Sequence, residues 1–412
     1  MVKDLYAPFP RPSVMQALTQ LTAAAARSAE NGDPDDALDA YGGRSEWLSG
    51  FEAEVAAALG KERALFFPTG VAAQNAALAV HAELPDSLRQ RQRGRPTPLL
   101  MMHATSHLAR YEENAYKELL GVNSLIVGDA TRVLAAKDIE HQLSRLAAVG
   151  QGPCMILVET PMRELGCVAP SWEELVEMRR LADQYNVPLH LDGARLWEIG
   201  PYYEATSGKS LQEVAALFDT VYVSFYKGLG ALTGAMLLGT ERFCKEAMPW
   251  RRRLGANPYT VMPYALSCRD AYRSHSQSFE ARWRKLERLA PKLAAAAQAA
   301  GGTWRTVPEA PLSCQVHVCI GPAHDAAALD AARDAVEAER GVRLYGRLVG
   351  ETPPGSHAVE GGPPEQYFEL SLGPAHVELD DAVFVEAWTA FFEALRATAS
   401  STGEEGGGEA AA

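Results

Sequence analysis

Short apolar runs alternate with helix-like stretches through the middle of the chain. Between Pro98 and about Thr240 the runs read LLMMH, NSLIVG, CMILVE, PLHLD, TVYVSF and GAMLLG. Strands that alternate with helices form βαβ units, in which helices cover both faces of a mostly parallel sheet. The pattern therefore predicts an α/β domain with such a sheet.

The residues before this region predict two helices, at about 13–30 and 46–59, and a strand from Ala64 to Phe67. That strand is followed over 68–80 by a Pro-Thr-Gly turn and an Ala-rich helix. The basic, Pro-containing segment 87–98 is predicted to be a surface loop.

After Arg253 the rhythm changes. The elements expected there are a helical region at 261–300, a strand at CQVHVCI, a helix at 324–340, strands at VRLYGRLV and YFELSL, and a last helix at 379–397. We predict a large α/β domain with its N-terminal segment at 1–258, a small C-terminal α+β domain at 259–400, and a disordered low-complexity tail at 401–412.

Composition narrows the class of protein. The 412 residues carry a net charge of -13, which argues against a nucleic-acid partner, because such proteins concentrate Lys and Arg. No apolar run reaches the roughly 18 residues of a membrane span, and the first residues have no apolar signal core. The six cysteines form no CxxC pair, so we expect reduced thiols in a cytoplasmic protein and no metal site.

Two strand ends carry residues that suit a pyridoxal 5'-phosphate (PLP) enzyme. Such an enzyme needs a lysine amine that bonds to the cofactor and a carboxylate that keeps the pyridine nitrogen protonated. Asp192 ends the strand VPLHLD, and Lys227 follows the next strand, with room for one helix between them. The alternatives are that Asp192 is a helix cap and that Lys227 lies in a solvated turn.

The same cofactor also needs phosphate donors and a flat group against its ring. The N–H groups of Gly70, Val71 and Ala72 begin a predicted helix after PTG and could bind the phosphate, and Ser224 could add a hydroxyl. His107, in ATSHLARYEE, is a candidate for stacking on the ring. Alternatively, PTG is only a turn and His107 is a surface or hydrogen-bonded core residue.

The order of these motifs resembles the threonine aldolase/β-eliminating lyase family of fold-type I PLP enzymes. The motifs are FFPTGVAAQNAAL, SHLARYEE, VETPMRELG, PLHLDGARLWEIG and VYVSFYKGLGALTGAMLLG. The resemblance implies a PLP-dependent transferase-like fold, with Lys227 as the Schiff-base residue and Asp192 as the partner of the pyridine nitrogen. It also implies that Arg195 lies beside the phenolic oxygen of the cofactor.

By the same resemblance, Gly70 and Val71 match the phosphate-binding pair and His107 matches the ring-stacking histidine. The family forms dimers or tetramers with sites at subunit interfaces, so a homodimer or homotetramer is expected. Departures from the family concern the hydroxyl donor and the substrate contacts: Val71 replaces the usual threonine, and Met162 replaces an aldolase histidine near the substrate hydroxyl.

Glu369, in FELSLG, aligns with the arginine that binds the substrate carboxylate in aldolases. Arg343, Arg347 or Arg163 could serve instead. The expected function is cleavage of the Cα–Cβ bond of a β-hydroxy-α-amino acid to glycine and an aldehyde. The alternatives are β-elimination, racemisation or transamination of another, possibly basic, amino acid, and a non-catalytic PLP-binding protein. The expected partner is a small amino-acid substrate, with neither nucleic acid nor membrane.

Overall fold

The computed structural model describes residues 2–34, 41, 45–83, 97–321, 326–351, 353 and 365–404, with side chains to 397. Contacts divide the chain into two compact units. The larger unit comprises 12–162 and 169–277, and the smaller comprises 1–11, 163–168 and 278–412.

The strands are β1 (Lys3–Asp4), β2 (Arg63–Phe67), β3 (Leu99–His103), β4 (Asn123–Val127), β5 (Met155–Glu159), β6 (Leu189–Gly193), β7 (Thr220–Ser224), β8 (Ala235–Gly239), β9 (Thr303–Val307), β10 (Gln315–Gly321), β11 (Val342–Arg343) and β12 (Gln366–Ser371).

The helices are α1 (Val14–Glu30), α2 (Glu46–Ala58), α3 (Gly70–His81), α4 (His107–Arg110), α5 (Ala115–Glu118), α6 (Ala136–Ala147), α7 (Trp172–Tyr185), α8 (Leu196–Ser207), α9 (Leu211–Ala216), α10 (Glu241–Arg253), α11 (Met262–His275), α12 (Phe279–Ala299), α13 (Ala326–Arg340), α14 (Pro374–Val377) and α15 (Asp381–Glu404).

The larger unit contains the predicted mostly parallel sheet. Its strand order is β2-β8-β7-β6-β5-β3-β4, and β8 alone runs antiparallel to its neighbours. Every residue of β5, β6, β7 and β8 is buried. A strand buried along its whole length is covered on both faces, which explains why these strands appear in the sequence as continuous apolar runs.

The carboxyl ends of the parallel strands meet along one edge of this sheet. β5, β6 and β7 are neighbours in register and end at Glu159, Gly193 and Ser224. Residues at such an edge project into the crevice where ligands bind in open α/β sheets. Asp192 and Lys227 thus follow neighbouring strands as predicted, although two helices, α8 and α9, lie between them instead of one.

The smaller unit has a three-stranded antiparallel sheet in the order β12-β10-β9. Helices α12 and α15 pack together and bury a core that includes Leu286, Val316, Phe368 and Trp388. Strand β9 was not predicted from the sequence.

One prediction about the smaller unit is wrong. VRLYGRLV forms a strand only at Val342–Arg343, because Leu344 and Tyr345 are both buried, which breaks the alternation of a strand. The predicted helical region 261–300 is confirmed: it consists of α11 and α12, separated by a 3-10 turn at Ser276–Ser278. Serine side chains compete for backbone hydrogen bonds and so weaken a helix at such a point.

The predicted domains at 1–258 and 259–400 stay a prediction. The compact units differ from them, since α11 packs on α1 and α2 in the larger unit. The predicted loop at 87–98 falls mostly outside the described residues, as does the predicted tail from 405 onward, while 401–404 continue helix α15. Five of the six cysteines are buried. No helix among the described residues combines the length and the apolar character needed to cross a bilayer.

Candidate active site

Asp192 lies buried near the carboxyl end of β6, between Glu159 of β5 and Tyr222 of β7. Its Oδ1 atom accepts a hydrogen bond of 3.1 Å from the N–H of Ala194. Within the described part of the chain, no cation forms an ion pair with this carboxylate. Burial raises the pKa of Asp192 to about 6, against the opposing effect of the nearby His107. A cationic ligand group beside Asp192 would stabilise the ionised carboxylate and lower its pKa again.

His107 begins helix α4 and is held at two points. Its backbone N–H donates to Oε2 of Glu159 at 3.1 Å, and its Nδ1 lies 3.1 Å from Oε1 of Glu112. The hydrogen bond to Glu112 raises the pKa of His107, although burial opposes the shift. The charge of Asp192 also raises the pKa of His107, and that of Lys227 lowers it. Because Glu159, which accepts the N–H of His107, is paired with Asp192 across β5 and β6, His107 lies at the same sheet edge as Asp192.

Lys227 lies in a tight turn after β7. The N–H of Ala231 donates to the carbonyl of Phe225 at 2.9 Å, and that of Gly230 donates to the carbonyl of Lys227 at 3.1 Å. Gly230 has a φ of 81°, a conformation that glycine adopts without strain. The Nζ atom of Lys227 lies 4.8 Å from the centroid of the Tyr226 ring. The turn therefore places the amine at the same sheet edge as Asp192.

Glu198 connects this turn to Arg195. Its Oε1 accepts the N–H of Gly228 at 3.1 Å and lies 4.0 Å from Nε of Arg195. A Cβ atom at position 228 would lie 2.7 Å from the carboxyl carbon of Glu198, so glycine is what allows this approach. Glu198 is buried and fixes the residue after Lys227.

The start of helix α3 forms the predicted phosphate cradle. The N–H groups of Gly70 and Val71 have no acceptor among the residues described, as expected for the first turn of a helix. The N–H of Ala72, predicted to be available, instead donates to Oγ1 of the capping Thr69 at 3.3 Å. A Cβ atom at position 70 would lie 2.1 Å from the hydroxyl of Tyr222, so only glycine fits there.

Ser224 does not offer its hydroxyl proton as predicted. Its Oγ donates to the carbonyl of Ala194 at 2.6 Å, because β6 and β7 end side by side. The proton is thus engaged between the two strand ends, and the hydroxyl oxygen keeps only its acceptor capacity.

The sequence assigned no role to Glu112, Glu159, Glu198 or Tyr222. Glu159 could have been found by the signal that identified Asp192, since it ends the neighbouring strand. Glu112 and Glu198 come from segments after strand ends, and only the fold brings them to His107 and to the turn around Lys227.

In the smaller unit, Glu369 pairs with an arginine. Its Oε1 lies 2.8 Å from Nη2 of Arg163 and 3.8 Å from Nε2 of His317. Arg343 is engaged with the carboxylate of Glu337 through two hydrogen bonds of 2.7 Å, whereas Arg347 is exposed.

Comparison with known proteins identifies the family. The family model for β-eliminating lyases matches residues 14–305. Alanine racemase TOXG of Cochliobolus carbonum is 34% identical over 206 residues, which cover 50% of this chain and 49% of that protein. Low-specificity L-threonine aldolase 1 of Arabidopsis thaliana is 26% identical over 228 residues, covering 55% of this chain and 59% of the relative. The chain thus spans about half the length of the curated relatives it matches.

Solved structures match over nearly the whole chain. A candidate L-allo-threonine aldolase from Listeria monocytogenes EGD-E is 31% identical with a TM-score of 0.77, covering 95% of this chain and 96% of that one. A candidate aromatic amino acid β-eliminating lyase/threonine aldolase from Exiguobacterium sp. 255-15 is 30% identical with a TM-score of 0.78, covering 95% and 97%. The fold and the family match together show that the protein belongs to the threonine aldolase/β-eliminating lyase family of fold-type I PLP enzymes.

Proposed function

We propose that this protein is a PLP-dependent lyase that cleaves the Cα–Cβ bond of a β-hydroxy-α-amino acid to give glycine and an aldehyde. In this proposal Lys227 bonds to the cofactor and Asp192 pairs with its pyridine nitrogen. Arg195 lies beside the phenolic oxygen, and His107 stacks on the ring.

The residues fit this cofactor. Asp192 is a buried carboxylate with no described cationic partner, and a protonated pyridine nitrogen is a cation of the right kind. The N–H groups of Gly70 and Val71 have no described acceptor, and a phosphate at a helix N-terminus supplies one. The carboxylate acceptor of Asp192 and the N–H donors of Gly70 and Val71 therefore match the protonated pyridine nitrogen and the phosphate of PLP.

When bound, PLP supplies an electron sink for the pair left at Cα. Asp192 keeps the proton on the pyridine nitrogen, and the Lys227 amine can take and return protons at Cα. If the Nδ1–H of His107 donates to Glu112, the neutral imidazole has its lone pair on Nε2. That atom can take the proton of a β-hydroxyl, a task for which the thioether of Met162 is unsuited.

One observation carries the proposal: a carboxylate-held histidine lies at the same sheet edge as the buried Asp192 and the turn that contains Lys227. The test is to incubate purified protein with threonine, allo-threonine, serine and phenylserine, and to measure aldehyde, glycine and pyruvate. Aldehyde and glycine in equal amounts, lost in Lys227→Ala, are expected. Pyruvate without glycine would replace this function with β-elimination.

Racemisation is the second candidate, and a specific observation favours it. Met162 has no acid–base group, and one matching relative is named an alanine racemase. Loss of optical activity from alanine, without aldehyde from any β-hydroxy amino acid, would select this function. A PLP-binding protein without turnover would give neither product.

We further propose that the protein acts in the cytoplasm as a homodimer or homotetramer. The family resemblance supports the assembly, and cysteines without a pairing motif support the compartment. Analytical ultracentrifugation tests the assembly, and a monomer at micromolar concentration would contradict it.

A further inference from the structure

A chain of hydrogen bonds joins helix α3 to strands β6 and β7. His190 is fully buried, with its Nε2 2.7 Å from Oε1 of Gln74 and its Nδ1 2.8 Å from Oγ1 of Thr220. The same Thr220 hydroxyl lies 2.8 Å from Nε2 of His81, at the other end of α3. The group of Gln74, His190, Thr220 and His81 is called the polar cross-link below.

The polar cross-link connects the two parts of the candidate site. His190 lies two positions before Asp192 in β6, so their side chains point to the same face of the strand. Gln74 lies four positions after Gly70 in α3, so the two share one face of the helix. The polar cross-link therefore connects the strand that carries Asp192 to the helix that begins at Gly70, close in sequence to both residues.

We propose that His190, held by Gln74 and Thr220, is a positioning residue that sets the distance between the start of α3 and Asp192, and thereby the affinity for PLP. This inference rests on the proposed function, in which PLP contacts both places. Apolar contacts alone are non-directional, whereas hydrogen bonds hold two elements at a defined separation.

The charge state of the polar cross-link supports this role. Burial lowers the pKa of His190 to about 3 and that of His81 to about 4. Both imidazoles are thus neutral near pH 7, and His190 does not compete with the cofactor for the charge of Asp192. A cationic group at position 190 would add a positive charge two positions from Asp192 on the same face of β6.

The buried amide of Gln74 lowers the stability of the folded protein. Its Nε2 is buried and has no hydrogen-bond partner within the described ranges. An unsatisfied buried donor costs free energy, and an apolar side chain of similar size would avoid that cost. An amide at this position is therefore consistent with a role for its oxygen in holding His190 in place.

The test uses a matched pair of variants. Thr220→Val removes the hydroxyl while keeping the shape of the side chain, and Thr220→Ser keeps the hydroxyl. Gln74→Met removes the acceptor at similar volume and carries the same test if Thr220→Val does not fold. The dissociation constant of PLP is measured on cofactor-free protein by visible absorption, beside the melting temperature of the same cofactor-free sample.

Thr220→Val and Gln74→Met should weaken PLP binding by about threefold to tenfold, the effect of losing one buried hydrogen bond, while Thr220→Ser binds like the wild type. Unchanged affinity in both variants, with only the melting temperature lowered, would assign the polar cross-link to stability and overturn the inference. So would failure of both variants to fold. A wild-type protein that does not bind PLP at all would overturn the proposed function as well, which separates the two failures.

Discussion

The Nδ1 atom of His107 and the Oε1 atom of Glu112 lie 3.1 Å apart, and the side chain of Glu112 is 2% exposed against 38% for His107. The buried carboxylate thus holds a partly exposed imidazole beside Asp192 and Lys227. This hydrogen bond raises the pKa of His107 above its ordinary 6.5.

Replacing Glu112 with glutamine should lower the pKa of His107, because a neutral amide stabilises the imidazolium less than a carboxylate does. The stabilising effect of the pair is complete below pH 6.5 and is lost as the pH rises through the raised pKa of the folded state. The melting temperature of wild type should therefore exceed that of Glu112→Gln most below pH 6.5. NMR titration of His107 measures the pKa directly, with Glu113→Gln as the control. Identical His107 titration in wild type and Glu112→Gln would contradict the assignment.

The stacking role of His107 separates from its proton-transfer role by substitution. His107→Phe keeps a flat ring but no proton-transfer group, whereas His107→Ala loses both. We expect His107→Phe to bind PLP more tightly than His107→Ala, with both slow in turnover. Two variants that match wild type in cofactor affinity and in rate would exclude His107 from the site.

Asp192→Asn should lower the activity of the enzyme and raise the stability of the cofactor-free protein. The folded-state pKa of Asp192, about 6, exceeds its ordinary 3.8, so ionising the buried carboxyl costs the cofactor-free protein stability as the pH rises from 3.8 to 6. Cofactor-free Asp192→Asn should therefore melt higher than wild type above pH 6, and the two should melt alike near pH 4.

In turnover, Asp192→Asn should lose on the order of a hundredfold or more, because an amide stabilises a protonated pyridine nitrogen poorly. Steady-state rates at saturating PLP measure the loss. Rates near those of wild type would reduce Asp192 to a helix cap.

Because of Glu369, we expect threonine to be a poor substrate. The resemblance to the family aligns Glu369 with the arginine that binds the substrate carboxylate in aldolases, and Glu369 pairs with Arg163 at 2.8 Å. A carboxylate there repels a substrate carboxylate and also occupies the nearby guanidinium. We expect slow cleavage of threonine and a preference for a larger or basic amino acid.

Glu369→Gln and Glu369→Arg should each raise kcat/KM for threonine, by about tenfold if one charge-assisted hydrogen bond is gained. Glu365→Gln is the matched control, since Glu365 pairs with Arg305 near the same strand. Brisk wild-type turnover of threonine, unchanged in Glu369→Arg, would move the carboxylate anchor to Arg343, Arg347 or Arg163.

The central strands of the larger unit could be predicted because burial on both faces leaves continuous apolar runs, as in Leu189–Gly193 and Thr220–Ser224. The strands of the smaller unit were harder to predict from the sequence. The run after Gly341 has strand-like residues, but Leu344 and Tyr345 both enter the core, which no local pattern reveals. Strand β9, at Thr303–Val307, is short and carries Arg305, so its apolar signal is weak.

The candidate site also has residues that the sequence could locate and others that it could not. Asp192 and Lys227 could be located because each follows an apolar strand and neighbouring strand ends converge. The state of a donor could not be read from sequence: the N–H of Ala72 is engaged by its own cap, and the hydroxyl of Ser224 by the adjacent strand end. Glu198 contacts Gly228, 30 positions away, and Glu112 reaches His107 through the turn that follows helix α4, which spacing alone does not define.

The central claim is that Lys227 is the residue bonded to PLP. Borohydride reduction of the PLP-loaded protein, followed by proteolysis and mass spectrometry, should find the pyridoxyl label on Lys227. Lys227→Ala should lose both the label and turnover, while Lys209→Ala, a change at a lysine paired with Glu213, should keep them. A label on any other lysine, or full labelling of Lys227→Ala, would contradict the account.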